Sequence, residues 1–167
     1  MSNRITRYAC YLILGLALSY LERFIPLDAT IPGVKLGLGN LALVLLLFQN
    51  DLGGAALVNV CRILLSSLLF GTLFSVIYGI CGGMFALIAM WAVKEAPQVG
   101  PIGCSIAGGI FHNLGQLLTA GIVLGTASVA AYLPFLLAAG IAAGCMVGIT
   151  AAFLLPRIPN LQKNKFE

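Results

Sequence analysis

Charge is what this sequence has least of. Only 8% of its 167 residues are charged, against about a quarter in an ordinary soluble domain. Asp28 and Asp51 are the only aspartates, so no Asp-rich magnesium site is available. The single histidine has no second histidine to share a metal with, and no Ser-His-Asp arrangement is credible. No ATP-binding motif is present, so active transport by this chain would have to draw its energy from elsewhere. The five cysteines are scattered, form no C-x-x-C pair and read as buried apolar thiols. No metal site and no cofactor are expected.

What is abundant is apolar surface. Hydrophobic residues make up 60% of the chain, and 20 glycines come on top of that. A chain this small cannot hide so much apolar surface inside a water-facing globule. Soluble, disordered and disulfide-stapled secreted classes are thereby excluded, and an all-α integral membrane protein remains. The net charge of +4 gathers in Arg4 and Arg7 at one end and Arg157, Lys163 and Lys165 at the other. It forms no basic face with interleaved aromatics, so nucleic acid is not a partner. The tails suit an anionic leaflet, which makes membrane lipid a partner.

The apolar runs divide into six predicted transmembrane helices. The first covers 8–24. Ala17-Leu18-Ser19 is only a weak cleavage match, so this run reads as a retained helix rather than a signal peptide. Residues 25–35, with Pro26 and Pro32, form a connecting loop. The run 36–48 reads as a second span; with an apolar stretch this short, its helix must begin in the loop or be partly re-entrant. Further spans follow at 53–70, 73–93, 101–124 and 129–155. The resulting organisation is an N-terminal tail at 1–7, a six-helix membrane domain at 8–155 and a C-terminal tail at 156–167. Arg4, Arg7, Lys94, Arg157, Lys163 and Lys165 fall on one side. The positive-inside rule then puts both termini in the cytoplasm, with the protein in the plasma membrane.

Polar groups within these spans are expensive and mark sites. Arg62 lies mid-way along the third span, with Asn59 and Ser66 on the same helical face. Either it is compensated by Glu22 or by helix carbonyls, or it holds an anionic ligand. His112, Asn113 and Gln116 cluster in the fifth span, as an interhelical network or as a pocket. Lys35 and Asn40, among Gly33, Gly37 and Gly39, make the loop into the second span a candidate pocket cover. A substrate site of Lys35, Asn40, Arg62, His112, Asn113 and Gln116 follows. Small-xxx-small pairs such as Gly15 with Ser19, Gly121 with Gly125, and the series Gly140, Gly144 and Gly148 permit close helix contact.

The segments ALSYLERFIP (17–26), PGVKLGLGN (32–40), CRILLSSLLFG (61–71) and HNLGQLL (112–118) resemble the Gx transporter family. That family is also labelled heptaprenyl diphosphate synthase component I, and it is related to the S-components of energy-coupling-factor (ECF) transporters. The resemblance covers about residues 8–155. It implies a six-helix S-component-like bundle that binds a small vitamin-like molecule and works with a transmembrane coupling subunit and two cytoplasmic ATPases. S-components often dock through A-x-x-x-A on the first helix; here Ala9 is followed by Ile13, and Gly15 with Ser19 is the best small pair for docking. Prenyl-chain elongation needs paired Asp-rich motifs that this chain lacks. It is therefore expected not to be an enzyme. A non-catalytic scaffold for prenyl-quinone synthesis or membrane electron transfer is the competing expectation.

Overall fold

The structure, a computed structural model, describes residues 2–22, 24, 37–71 and 73–158. Six α-helices follow one another, with no strand among the described residues: α1 (Ser2–Glu22), α2 (Leu41–Phe48), α3 (Leu52–Phe70), α4 (Leu73–Lys94), α5 (Pro101–Leu124) and α6 (Leu133–Leu154). Short 3-10 turns precede α2 at Leu38–Asn40 and flank α6 at Ala127–Tyr132 and Leu155–Arg157. Helix ends carry local signals. Asp51 caps α3 by accepting from the Gly54 amide at 2.8 Å, α5 opens on Pro101, and it stops at Gly125 in the left-handed region with φ 62°.

Among the described residues, four segments are long and apolar enough to cross a membrane: α3, α4, α5 and Ala127–Arg157, which contains α6. Their outward faces are mostly apolar, with Leu68, Leu73, Ile122, Phe135 and Phe153 exposed. In water such a surface would aggregate; in a bilayer it is the proper lipid-facing surface. Among the described residues, the first two of the six expected spans fall short of that length and apolarity. α1 is 21 residues long, but Arg4, Arg7 and Glu22 dilute its apolar stretch to 8–21. Residues 2–7 already belong to this helix rather than to a separate tail. The stretch 159–167, most of the expected C-terminal tail, lies outside the described residues.

The second segment departs most from expectation. Its helical part, Leu38–Phe48, is about 17 Å long, little more than half of a hydrocarbon core of about 30 Å. Every residue from Leu41 to Leu47 is buried. A helix that is apolar all round and buried all round is an internal peg rather than a lipid-facing span. It packs against α1, α3, α4, α5 and α6, which surround it.

Contacts between helices fix the connectivity. Tyr8 lies at Gly54 and Gly15 at Arg62, so α1 and α3 run in the same direction. Gly79 and Gly83 of α4 meet Ile63 and Asn59 of α3, and Gly82 meets Gly115 of α5, both in antiparallel order. Gly109 faces Gly140, and Ile106 and Ile102 face Gly144 and Gly148, so the glycine series of the last helix packs against α5. Arg7 pairs with Asp51, Tyr8 donates to Asp51 at 2.8 Å and Lys94 donates to Asn50 at 2.6 Å. The start of α1, the α2–α3 turn and the end of α4 therefore share one basic end of the bundle.

Burial divides along the bundle axis. The apolar core consists of Tyr11, Leu41–Leu47, Ala55, Val58, Ala86, Leu87, Met90, Cys104, Val147 and Ala151. All of these sit in the half nearer the basic end, and α2 fills it. Asn40, Asn59, Arg62, Ser67, His112, Asn113, Gln116 and Thr119 are buried polar residues at mid-depth or in the opposite half. Gln49 and Ser105 are the buried polar residues on the apolar side.

Candidate functional site

Arg62 sits near the middle of α3 and is only 7% exposed. Its Nη1 donates to Ser19 Oγ at 3.2 Å, and its Nη2 donates to Asn40 Oδ1 at 3.3 Å and to Asn59 Oδ1 at 3.1 Å. All three acceptors are neutral oxygens. Asn59 is anchored in turn by donating to the Gly83 carbonyl of α4 at 2.9 Å. Arg62 Nε is buried without a hydrogen-bond partner. Glu22 acts on the guanidinium through space, while its Oε1 accepts from the Gly37 amide at 2.7 Å.

Two glycines make room for this arrangement. A Cβ at Gly15 would come within 2.8 Å of Arg62 Cδ, and one at Gly39 within 2.5 Å of Nη1 and 2.6 Å of Ser19 Oγ. Gly37, in the left-handed region with φ 69°, turns the chain into the 3-10 segment and then α2. The start of α2 therefore abuts the guanidinium. A helix N-terminus carries partial positive charge, so two positive sources converge at mid-depth. Neutral oxygens solvate such a charge without cancelling it, and Glu22 is the acidic group within reach. Broken helices whose N-termini meet at mid-depth commonly hold anionic groups in membrane proteins.

The second polar cluster divides. His112 and Gln116 share a face of α5 against α4, where a Cβ on Gly82 would lie 2.9 Å from Gln116 Cγ and 3.2 Å from His112 Cε1. Gln116 is 6% exposed, and its Oε1 has no hydrogen-bond partner. Asn113 faces α6 instead, donating to the Leu136 carbonyl at 2.8 Å, with its Oδ1 also unmet. Gly82 and Gly83 are adjacent, so Gln116 and the Asn59–Arg62 group meet consecutive residues of α4.

The structure thus joins Asn40 to Arg62 and sets His112 and Gln116 together on the face of α5 that meets α4. It sets Asn113 against α6, and Lys35 lies outside the described residues. Gly15 and Ser19, expected as a docking ridge, face inward: the ridge is occupied by Arg62, which needs their small size and the serine oxygen. Ser66, expected beside Arg62, donates to the Ile63 carbonyl at 3.2 Å. Ser67 and Thr119, buried in the polar half, were not anticipated. Each is one hydroxyl in an apolar helix, a weak signal because such hydroxyls commonly bond their own helix, as Thr119 does to the Gly115 carbonyl. Among the described residues, no group of three or more His, Cys, Asp or Glu is placed to hold a metal.

The family model described as heptaprenyl diphosphate synthase component I matches residues 12–154. No curated protein and no solved structure gives a match.

Proposed function

This chain belongs to the heptaprenyl diphosphate synthase component I family, and from that premise we propose that it is a substrate-binding membrane subunit of ECF type. Its substrate is a small anionic molecule, vitamin-like or a precursor of one. The reading rests on one observation above all: a permanent cation at mid-depth, beside the start of a half-length helix, hydrogen-bonded to neutral oxygens. Guanidinium does not deprotonate, so a group this deep calls for negative charge. The orientation of the site supports the same reading. The basic end is the cytoplasmic side by the positive-inside rule, and α1 starts and α6 ends toward it. The apolar peg α2 then fills the inner half, and the buried polar residues lie at mid-depth and toward the outside. Such a bundle receives a ligand from outside and holds it above a plug. Release inward requires the plug to move, which is work for a coupling subunit driven by ATPases.

A second reading has its own support. The family description names a component of a prenyl diphosphate synthase, and Ser19, Asn40 and Asn59 solvate Arg62 as a packed scaffold would. Under that reading the chain is a non-catalytic membrane partner. Affinity purification of the full chain from its native membrane in mild detergent separates the two. Recovery of a transmembrane coupling subunit with ATPases is the expected result. Recovery of a prenyltransferase subunit without them would replace the transport reading with the scaffold.

A further inference from the structure

We infer that the turn 49–51 is a latch at the basic end of the bundle, and that α2 leaves its place as one body when the latch opens, ahead of the other helices. The inference stands on the packing of α2 and goes beyond the proposed function, for which it names the place where the plug lets go. Residues 41–47 are Leu, Ala and Val, all of them buried, so the middle of α2 is held by apolar packing alone. The neighbouring helices are joined differently. α5 and α6 meet backbone to backbone, Gly109 at Gly140, and Ile106 and Ile102 at Gly144 and Gly148, and α4 meets α5 in the same way at Gly82 and Gly115. Small-residue contacts of that kind bring two helices close along their length. α2 contains no glycine to offer one.

Polar ties gather instead on the three residues that follow α2. Gln49 donates to the Tyr11 hydroxyl of α1. Asn50 accepts from Lys94 of α4 at 2.6 Å. Asp51 accepts from Arg7 and Tyr8 of α1. Successive residues are thus fastened to helices on two sides, and Asn50 takes the left-handed conformation, φ 56°, that this short turn demands. The latch is also incomplete. Gln49 Oε1 and Arg7 Nε are buried without a hydrogen-bond partner, and unmet members of a buried polar network offset part of what its bonds contribute. At the outer end the tie is Asn40, which accepts from Arg62 at 3.3 Å. Proteins open in contiguous units. α2 with its turn is such a unit, since its side-chain hydrogen bonds to other helices, among the described residues, lie at its two ends.

A native thiol reports the opening. Cys104 of α5 is 0% exposed, donates to the Met90 carbonyl at 3.3 Å and belongs to the core that α2 fills. Wild type, Arg7→Gln and Lys94→Gln are compared as full chains in nanodiscs. Amide hydrogen exchange and N-ethylmaleimide labelling of Cys104 are both read by peptide mass mapping. Each variant should exchange about tenfold faster across the whole of 41–48 and label Cys104 faster by a similar factor, the change expected from one lost bond to a charged group. Peptides from α5 and α6 should keep their wild-type exchange. Tyr11→Phe, which removes a single hydroxyl, makes the same comparison with a smaller acceleration if a charge variant fails to accumulate. Acceleration confined to 49–51 would show a fraying turn and overturn the inference. Equal acceleration in α5 and α6 would show the bundle opening as a whole and overturn it as well, as would unchanged exchange in every variant. All variants keep Ser19, Asn40 and Asn59 on Arg62, so failure here leaves the anion-binding reading to its own test with Arg62→Gln.

Discussion

Replacing Arg62 with glutamine asks whether its charge serves the fold or a ligand. The substitution removes a guanidinium that makes three hydrogen bonds, to Ser19, Asn40 and Asn59. Bonds to a charged group are each worth about 1.5–3 kcal/mol, but the charge also carries a burial penalty of several kcal/mol. The two largely offset, and a glutamine amide retains at least one of the partners. The net loss of fold stability is expected to be about 1–2 kcal/mol. Ligand binding should suffer more, by about 2–5 kcal/mol, because the substitution removes the cation that abuts the start of α2. A structural ion pair with Glu22 gives a different pattern. Removing the arginine would then strand a carboxylate at a cost of about 3–5 kcal/mol, and adding Glu22→Gln would restore the loss. Glu22 already accepts from the Gly37 amide, so a coupling energy below about 1 kcal/mol between the two substitutions is expected. Apparent melting temperatures of the wild type, both single variants and the double variant, read in one detergent, close the cycle. Restoration by Glu22→Gln would refute the ligand role of Arg62.

Other substitutions test the surroundings. Gly39→Ala forces a methyl onto Arg62 Nη1 and Ser19 Oγ; it should displace the guanidinium and weaken anion binding in titrations, with the helical circular dichroism signal unchanged. Gly109→Leu drives a side chain into the Gly140 backbone, where the neighbouring helix cannot yield, and should cost more than about 3 kcal/mol or abolish monodisperse elution in size-exclusion chromatography. Leu45→Lys puts a charge into the fully buried peg and should prevent stable accumulation in membranes, read by immunoblot. Reporter fusions at residue 28 and beyond residue 160 should report opposite sides of the membrane; the same side for both contradicts the orientation.

The difference between α2 as a span and α2 as a peg shows where sequence reading reaches its limit. A run such as Leu41–Leu47 is equally apolar whether lipid or protein surrounds it, so periodicity cannot separate the two. Its shortness was the legible clue. Arg62 stood out because a guanidinium in an apolar run must be compensated, by the fold or by a ligand, and Asn59 followed from i−3 spacing on the same face. Gly15 and Ser19 were legible as a small pair but not in their direction, because small residues admit a neighbouring helix and a neighbouring side chain alike. His112, Asn113 and Gln116 looked like one cluster in sequence. At about 100° per residue a helix turns Asn113 away from the other two, and only the positions of α4 and α6 show which neighbour each meets. The division between an apolar half nearer the basic end and a polar opposite half comes from α2 stopping at mid-depth, a property of packing that no single helix carries.

Native mass spectrometry of the full chain, extracted gently from the membrane in which it is made, tests the central claim most directly. The wild-type protein should carry a small anionic molecule in a one-to-one complex, and Arg62→Gln prepared in parallel should be free of it. A wild-type protein with no bound molecule, or an Arg62→Gln variant that carries the same molecule to the same extent, would contradict the assignment of this site.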